Sequence, residues 1–362
     1  MEREIRNFIL VWISALSSLC YCHAMAKFVP KGNARLCFIL PVVCLFFYLP
    51  LNLTSIHLGS TTAFFITWLG SFKLLLFSFG RGPLSSSPPL SLPHFILFSC
   101  LPIKAQLQNP EKNSQTKQNP DHKSAQNGHR SPLNYPTKIT LLGIIMQAYK
   151  YKNYVHPKVT LVLYCLHIYI SLELFLVLVA ALARAMARLE LEPQFNDPYL
   201  ATSLQDFWGR RWNLMVTSIL RPTIYDPTRA MSAPLIGGRW APIPAVFMTF
   251  LVSGVMHELI FYYAGRLRPT WEVTCFFLLH GLCLVAEIGV KRMAKGRFRL
   301  PAAVSGPLVM AFVMATALWL FLPPAMRFDA AGKAKRETAA IVGLVKAIAR
   351  VSRFGYLNVV SR

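Results

Sequence analysis

The feature that most constrains this chain is a series of long apolar runs, each close to the ~20 residues that a helix needs to cross a ~30 Å hydrocarbon core. They lie at 5–26, 34–53, 58–79, 159–183, 241–264, 271–290 and 303–322. No water inside a bilayer can satisfy backbone N–H and C=O groups, so runs of this length must close their own hydrogen bonds as helices. Two shorter runs, 94–103 and 139–148, are too brief to span alone. The expected fold class is therefore all-α: a polytopic transmembrane helix bundle with about 7–9 membrane helices. A hydrophobic content of 54% with only 15% charged residues excludes a single soluble domain.

The first run follows MEREIRN, in which two acids cancel two arginines, so it lacks the positive leader of a secretory signal and reads as a retained helix. Pro41 and Pro50 are expected to kink or end the second helix. Lys73, near the end of the third run, can snorkel to the interface. GRGPLSSSPPLSLP at 80–93 breaks the helical pattern. Between 104 and 138 the sequence is rich in Asn, Gln, Lys and Pro, cannot bury enough apolar surface to offset its ordering entropy, and is expected to be a disordered loop. The organisation is then N-terminal membrane helices at 1–103, a cytosolic loop at 104–138, a membrane core at 139–323, and a basic amphipathic tail at 324–362.

Lys and Arg number 38 against 15 Asp and Glu. Such a surplus suits nucleic acid, or anionic membrane surfaces and phosphorylated ligands; here the basic residues sit in short connectors between apolar runs, which selects the membrane. By the positive-inside rule the connectors after the first helix, between 81 and 138, and at 291–299 face the cytosol. The eight cysteines carry no CxxC pair and fall mostly within apolar runs (Cys37, Cys44, Cys165, Cys275 and Cys283), where they read as small buried hydrophobes.

A polar and aromatic insert interrupts this oily background at 196–225, NDPYLATSLQDFWGRRWNLMVTSILRPTIY. Capping-box pairs Thr202/Gln205 and Ser203/Asp206, with Pro222 as a stop, predict one interfacial helix over 203–220. Leu204, Trp208, Trp212, Met215 and Ile219 fall on one face, and Asp206, Arg210, Asn213 and Thr217 on the other. That pattern suits a plain interfacial anchor with tryptophans at the depth indoles prefer. Alternatively, Arg210 and Arg211 can pair with a phosphorylated ligand, because guanidinium matches phosphate oxygens two at a time.

SGVMHELIFYY at 253–263 places His257 and Glu258 inside an apolar run, with Ser253 and Gly254 one turn back leaving room on the His257 face. In a soluble core a lone His is usually structural; in lipid the balance shifts toward function. HELIF lacks a second His four residues on, since that position is Phe261, so a zinc site is rejected. Elbow, P-loop and soluble acyltransferase patterns are missing as well. Glu173, His280 and Glu287 are further intramembrane polar groups, read as buried and hydrogen-bonded.

At these two pieces the sequence resembles the plant wax synthases, long-chain-alcohol O-fatty-acyltransferases of the membrane-bound O-acyltransferase superfamily. QFNDPYLATSLQDFWGRRWN (194–213) and SGVMHE (253–258) carry the resemblance, and SIHLGS (55–60), GPLS (82–85), LPIK (101–104), RPTWEVTCFFLLHG (268–281) and WLFLP (319–323) extend it over nearly the whole chain. It implies a lipid-biosynthetic transferase of the endoplasmic reticulum that moves a fatty acyl group from acyl-CoA to a long-chain fatty alcohol, giving a wax ester. His257 and Asn213 become the catalytic positions, with His257 as general base. Trp208, Trp212, Arg210, Arg211, Asp206 and Glu258 become substrate-binding neighbours. Acyl-CoA is a co-substrate, and no metal, other cofactor or nucleic acid is required. Sterol or diacylglycerol as acceptor, a membrane transporter, and a non-catalytic lipid-binding protein are the alternatives.

Overall fold

In the computed structural model, residues 2–86, 88–102, 134–187, 194–293, 300–330, 332–339 and 343 are described. Helices dominate, and no strand occurs among the described residues. They are α1 (Glu2–Phe28), α2 (Asn33–Tyr48), α3 (Ile56–Ser78), α4 (Leu92–Cys100), α5 (Tyr135–Ala148), α6 (Pro157–Ala187), α7 (Leu214–Leu220), α8 (Asp226–Ile236), α9 (Pro242–Gly265), α10 (Glu272–Met293) and α11 (Ala302–Arg327). Seven of the helical segments are long and apolar enough to cross a membrane, at the seven long runs of the sequence. Leucines such as Leu10, Leu182 and Leu282 stand exposed on their outer faces, as lipid contact requires. The chain is an integral, multi-pass membrane protein.

Helix α3 is the hub. Of its apolar window 78% is buried, against 22–39% for the other six spans. One face packs with α1, α2 and α4 through Phe46, Ile66, Leu74, Phe77 and Phe95. Its other face packs on α7 and α9 through Phe65, Trp68, Met215, Ile219 and Met256. Helices α9 and α10 pair closely because glycines remove the side chains between them. A Cβ on Gly254 would stand 2.9 Å from Thr274 Cα, and one on Gly281 would stand 3.1 Å from Phe250 Cβ.

Several expectations change. Pro41 is accommodated inside α2, while Pro50 lies in the 3₁₀ turn Leu49–Asn52 that ends it. Lys73 does not snorkel: it is fully buried, and its Nζ donates to the carbonyls of Phe98 and Leu101, both at 2.6 Å. An ammonium at the C-terminal end of a short helix satisfies carbonyls that have no helical partner. The loop expected at 104–138 lies mostly outside the described residues, but its last residues form the first turn of α5, capped by Asn134. Lys138 there is the partner of the intramembrane Glu173, at 2.5 Å and buried with it. Cys37, Cys44 and Cys275 are exposed on outward faces rather than buried. The tail expected from 324 begins later, since α11 runs to Arg327. Residues 332–339 dock on the start of α3, where Glu337 accepts from the Ile56 and His57 N–H groups and the Ser55 hydroxyl.

Candidate active site

The helix expected over 203–220 is two helices with a break. A short turn, Leu204–Asp206, is capped by the Ser203 hydroxyl and continues as a π-helical turn, Phe207–Arg211. The chain then extends at Trp212 and turns left-handed at Asn213, φ 40° and ψ 67°. Asn tolerates this region better than most residues, and its side chain supplies the next cap: Asn213 Oδ1 accepts from Val216 N–H at 3.3 Å and starts α7. The break is pinned from the other side by residues 194–197. Asn196 N–H donates to Arg211 O at 2.9 Å, and Leu214 N–H to Gln194 O at 2.8 Å.

This explains Asp206 and Arg211. Arg211 Nε pairs with Asp206 Oδ2 at 2.7 Å and its Nη1 donates to the carbonyls of Asn196 and Asp197. Both side chains brace the loop that aims Asn213, and neither borders the cavity described next. Arg210 is exposed and also stands off the cavity wall. Glu258 is buried and points away from it, where Oε1 accepts from Val273 and Thr274 N–H at 3.1 and 3.2 Å and caps the start of α10.

The cavity, about 380 Å³, is lined by α3, the Gln205–Asn213 turn, α7, the Arg221–Tyr225 turn, α9 and α10. It brings together His257, Asn213, Trp208 and Trp212. The wall between Val246 and His257 covers three turns of α9, or about 16 Å. Apolar side chains of Val216, Leu220, Phe250, Leu284 and Ile288 make most of it, and Arg221, 70% exposed, stands at its rim.

His257 Nδ1 lies 2.7 Å from Ser253 O, one turn back. A carbonyl only accepts, so Nδ1 carries the proton, and in the neutral ring the Nε2 lone pair is left for another partner. The ring stacks on Phe277 (4.4 Å, 29°), meets Trp68 edge-on (4.8 Å, 85°) and is flanked by Phe321 at 5.8 Å. The expected interfacial tryptophans turn inward instead. Trp208 packs on Phe250 and Phe277, and its Nε1–H donates to His280 Nδ1 at 3.1 Å. His280 is fully buried and must therefore donate from Nε2 to Thr316 Oγ1, at 2.8 Å, while the Thr316 hydroxyl donates on to Phe312 O. Trp212 sits among Phe207, Phe195 and Tyr169. Glu287 receives Leu204 N–H at 2.7 Å and Lys291 at 2.6 Å, so it caps the turn that carries Trp208.

Trp68, Phe277, Arg221 and Tyr225 also line the cavity and Phe321 flanks the His257 ring, although no motif marks them as site residues in the sequence. One signal was available: Trp68 is an indole in the middle of an apolar run, away from the interface where Trp prefers to sit. The other signal is conformational. All four π-helical segments among the described residues, Ala63–Gly70, Phe207–Arg211, Arg221–Tyr225 and Ala317–Phe321, deliver a residue to the cavity or to the His257 ring: Trp68, Trp208, Arg221 with Tyr225, and Phe321. Widened turns of this kind concentrate at functional sites because they shift side chains off the regular helical faces. Among the described residues, no three His, Cys, Asp or Glu side chains gather as a metal site.

Comparison with known proteins agrees with this architecture. Residues 191–279, which hold the Asn213 loop and most of the α9–α10 hairpin, match the model of the membrane bound O-acyl transferase family. Over 337 residues the chain is 52% identical to an acyl-CoA–sterol O-acyltransferase of Arabidopsis thaliana, covering 92% of this chain and 95% of that protein. It is 46% identical over 331 residues to a long-chain-alcohol O-fatty-acyltransferase of Simmondsia chinensis, covering 90% and 92%. A probable long-chain-alcohol O-fatty-acyltransferase 1 of Arabidopsis thaliana is 44% identical over 350 residues, covering 96% and 98%. With identity of this level along nearly its whole length, the chain belongs to the membrane bound O-acyl transferase family.

Proposed function

We propose that the protein transfers a long-chain fatty acyl group from acyl-CoA to a long-chain fatty alcohol, forming a wax ester, with His257 as general base. The observation that carries this reading is the pairing of His257, its Nε2 unprotonated in the neutral ring, with Asn213 on the wall of one apolar cavity. A fatty alcohol, with a pKa of ~16, is a poor nucleophile at neutral pH and needs a base within hydrogen-bond reach. His257 Nε2 takes the hydroxyl proton as the alcohol oxygen attacks the thioester carbonyl. The C–S bond then breaks, and the CoA thiolate recovers that proton from the imidazolium. Asn213, its Oδ1 engaged by Val216 N–H, presents its amide nitrogen to orient the substrate. Arg221 at the rim suits the phosphates of CoA, a role the sequence had suggested for Arg210 and Arg211. The reaction then takes place in the endoplasmic reticulum membrane, with CoA arriving from the cytosol. A second reading, a sterol as acceptor, is favoured by the 52% identity to the sterol acyltransferase.

Microsomes from a host lacking neutral-lipid synthesis, carrying the full chain and given acyl-CoA with fatty alcohol, sterol or diacylglycerol, test both readings. Wax ester as the main product is expected, with a ~10²–10⁴-fold loss in His257→Ala at equal membrane abundance. Full activity in that variant would overturn the base assignment, and preferential sterol ester would select the second reading.

A further inference from the structure

Six buried side-chain polar atoms among the described residues have no hydrogen-bond partner: Trp68 Nε1, Ser85 Oγ, Tyr169 OH, Glu173 Oε2, Gln194 Oε1 and Thr274 Oγ1. Of these residues only Trp68 borders the cavity. A buried indole N–H without an acceptor is uncommon in a native structure and calls for an explanation, because the group has lost water and gained nothing. Its neighbours sharpen the point. The indole meets the His257 ring edge-on with centroids 4.8 Å apart, and it sits on the π-helical stretch of the most buried span. Trp208, another indole of the cavity wall, is given His280, which is in turn given Thr316. Trp68 is offered no such partner.

We propose that Trp68 is a catalytic residue whose Nε1–H donates to the carbonyl oxygen of the bound thioester and to the oxyanion that forms there. This rests on the acyl-transfer reading above. As the acceptor oxygen bonds to the thioester carbon, the C=O π pair moves onto oxygen while the hydroxyl proton passes to His257 Nε2. An N–H dipole in a water-poor site stabilises that charge. Nε1 is shut off from the cavity, so the thioester oxygen reaches it as the indole shifts toward the bound substrate. When the tetrahedral centre collapses, the pair returns, the C–S bond breaks, and the thiolate leaves with the proton. Base and donor come from α9 and α3, two helices that the Met256 and Trp68 packing holds in fixed relation.

The test uses the full-length chain in lipid nanodiscs. Trp68 is replaced by benzothienylalanine, which keeps the ring outline and substitutes sulfur for N–H, with Trp68→Phe as the simpler variant. Rates are measured beside wild type and His257→Ala. Binding is followed with a CoA ketone analogue that carries a CH₂ between sulfur and carbonyl and cannot be cleaved. Loss of the N–H is expected to lower kcat ~10²–10³-fold with KM within about threefold. The Trp68 indole ¹H–¹⁵N resonance should move downfield when the ketone binds. A benzothienyl variant with kcat within about threefold of wild type, or a resonance unmoved by bound ketone, would overturn the assignment and leave the N–H resting on the imidazole face. A wild type that needs His257 but not the Trp68 N–H overturns this inference alone; a wild type that forms no ester from any acceptor overturns the acyl-transfer reading with it.

Discussion

Replacing Gly254 by Ala adds one methyl group where α9 and α10 touch, one turn before His257. The new Cβ would stand 2.9 Å from Thr274 Cα, 3.3 Å from Thr274 Cγ2 and 3.4 Å from Phe277 Cβ. Carbon atoms in ordinary contact sit about 3.5–4.0 Å apart, so the helices must separate by roughly 0.6–1 Å. The nearest atom is backbone, which has no rotamer to escape into, and Thr274 N–H is tied to Glu258 of the opposite helix. Relief therefore comes from moving α10 and with it Phe277, on which the His257 ring stacks. Overpacking of this size costs about 1–3 kcal/mol of stability. A misplacement near ~1 Å in a catalytic constellation costs on the order of 10²-fold in rate. The assay is ester formation per full-length protein in microsomes, with thermal stability followed by fluorescence-detected size exclusion. Gly289→Ala is the control, because a Cβ there meets nothing within 4 Å, and it should gain up to about 1 kcal/mol of helix propensity. Gly254→Ala with wild-type turnover and stability would refute the claim that this contact sets the position of the base.

His280→Phe removes the acceptor of Trp208 Nε1 and the donor to Thr316. A stability loss of about 1–3 kcal/mol is expected, together with a several-fold fall in kcat that His280→Gln partly restores. Thermal unfolding and kinetics of the two variants check it. Lys138→Met leaves Glu173 buried without its partner and should destabilise by about 3–5 kcal/mol, whereas Lys138→Met with Glu173→Leu should recover most of that. A double-mutant cycle on melting temperature decides between coupling and two independent losses.

The spans were legible because length and apolarity alone decide what a bilayer accepts, and the observed bounds of α9, Pro242–Gly265, lie within a residue of those read from the run. Glu173 was legible as a buried group for the same reason, since charge in hydrocarbon must be sheltered. Its partner was not, because Lys138 sits at the end of a stretch whose composition reads as loop, and only the fold brings α5 against α6. Asp206, Arg211 and Glu258 looked like ligands in the sequence for a related reason. Charged side chains beside a functional motif can bind substrate or can brace the backbone, and composition does not separate the two uses. Here Glu258 caps the start of α10, Arg211 donates to loop carbonyls, and Asp206 holds Arg211 in place.

The sequence by itself determined an all-α membrane bundle, its seven spans, and two short polar motifs as the chemistry-bearing pieces. Hydrophobic length and residue type are local properties, and they suffice for that much. Tertiary structure alone decided that the Asn213 motif is broken rather than one helix, and that its tryptophans turn inward. It also decided that four π-helical turns each bring a residue to the cavity or to the His257 ring, and that Trp68 lines the same chamber. Those outcomes depend on which helix supplies the partner for each buried N–H and on how closely glycines let α9 and α10 approach, and neither is written in the spacing of any single segment.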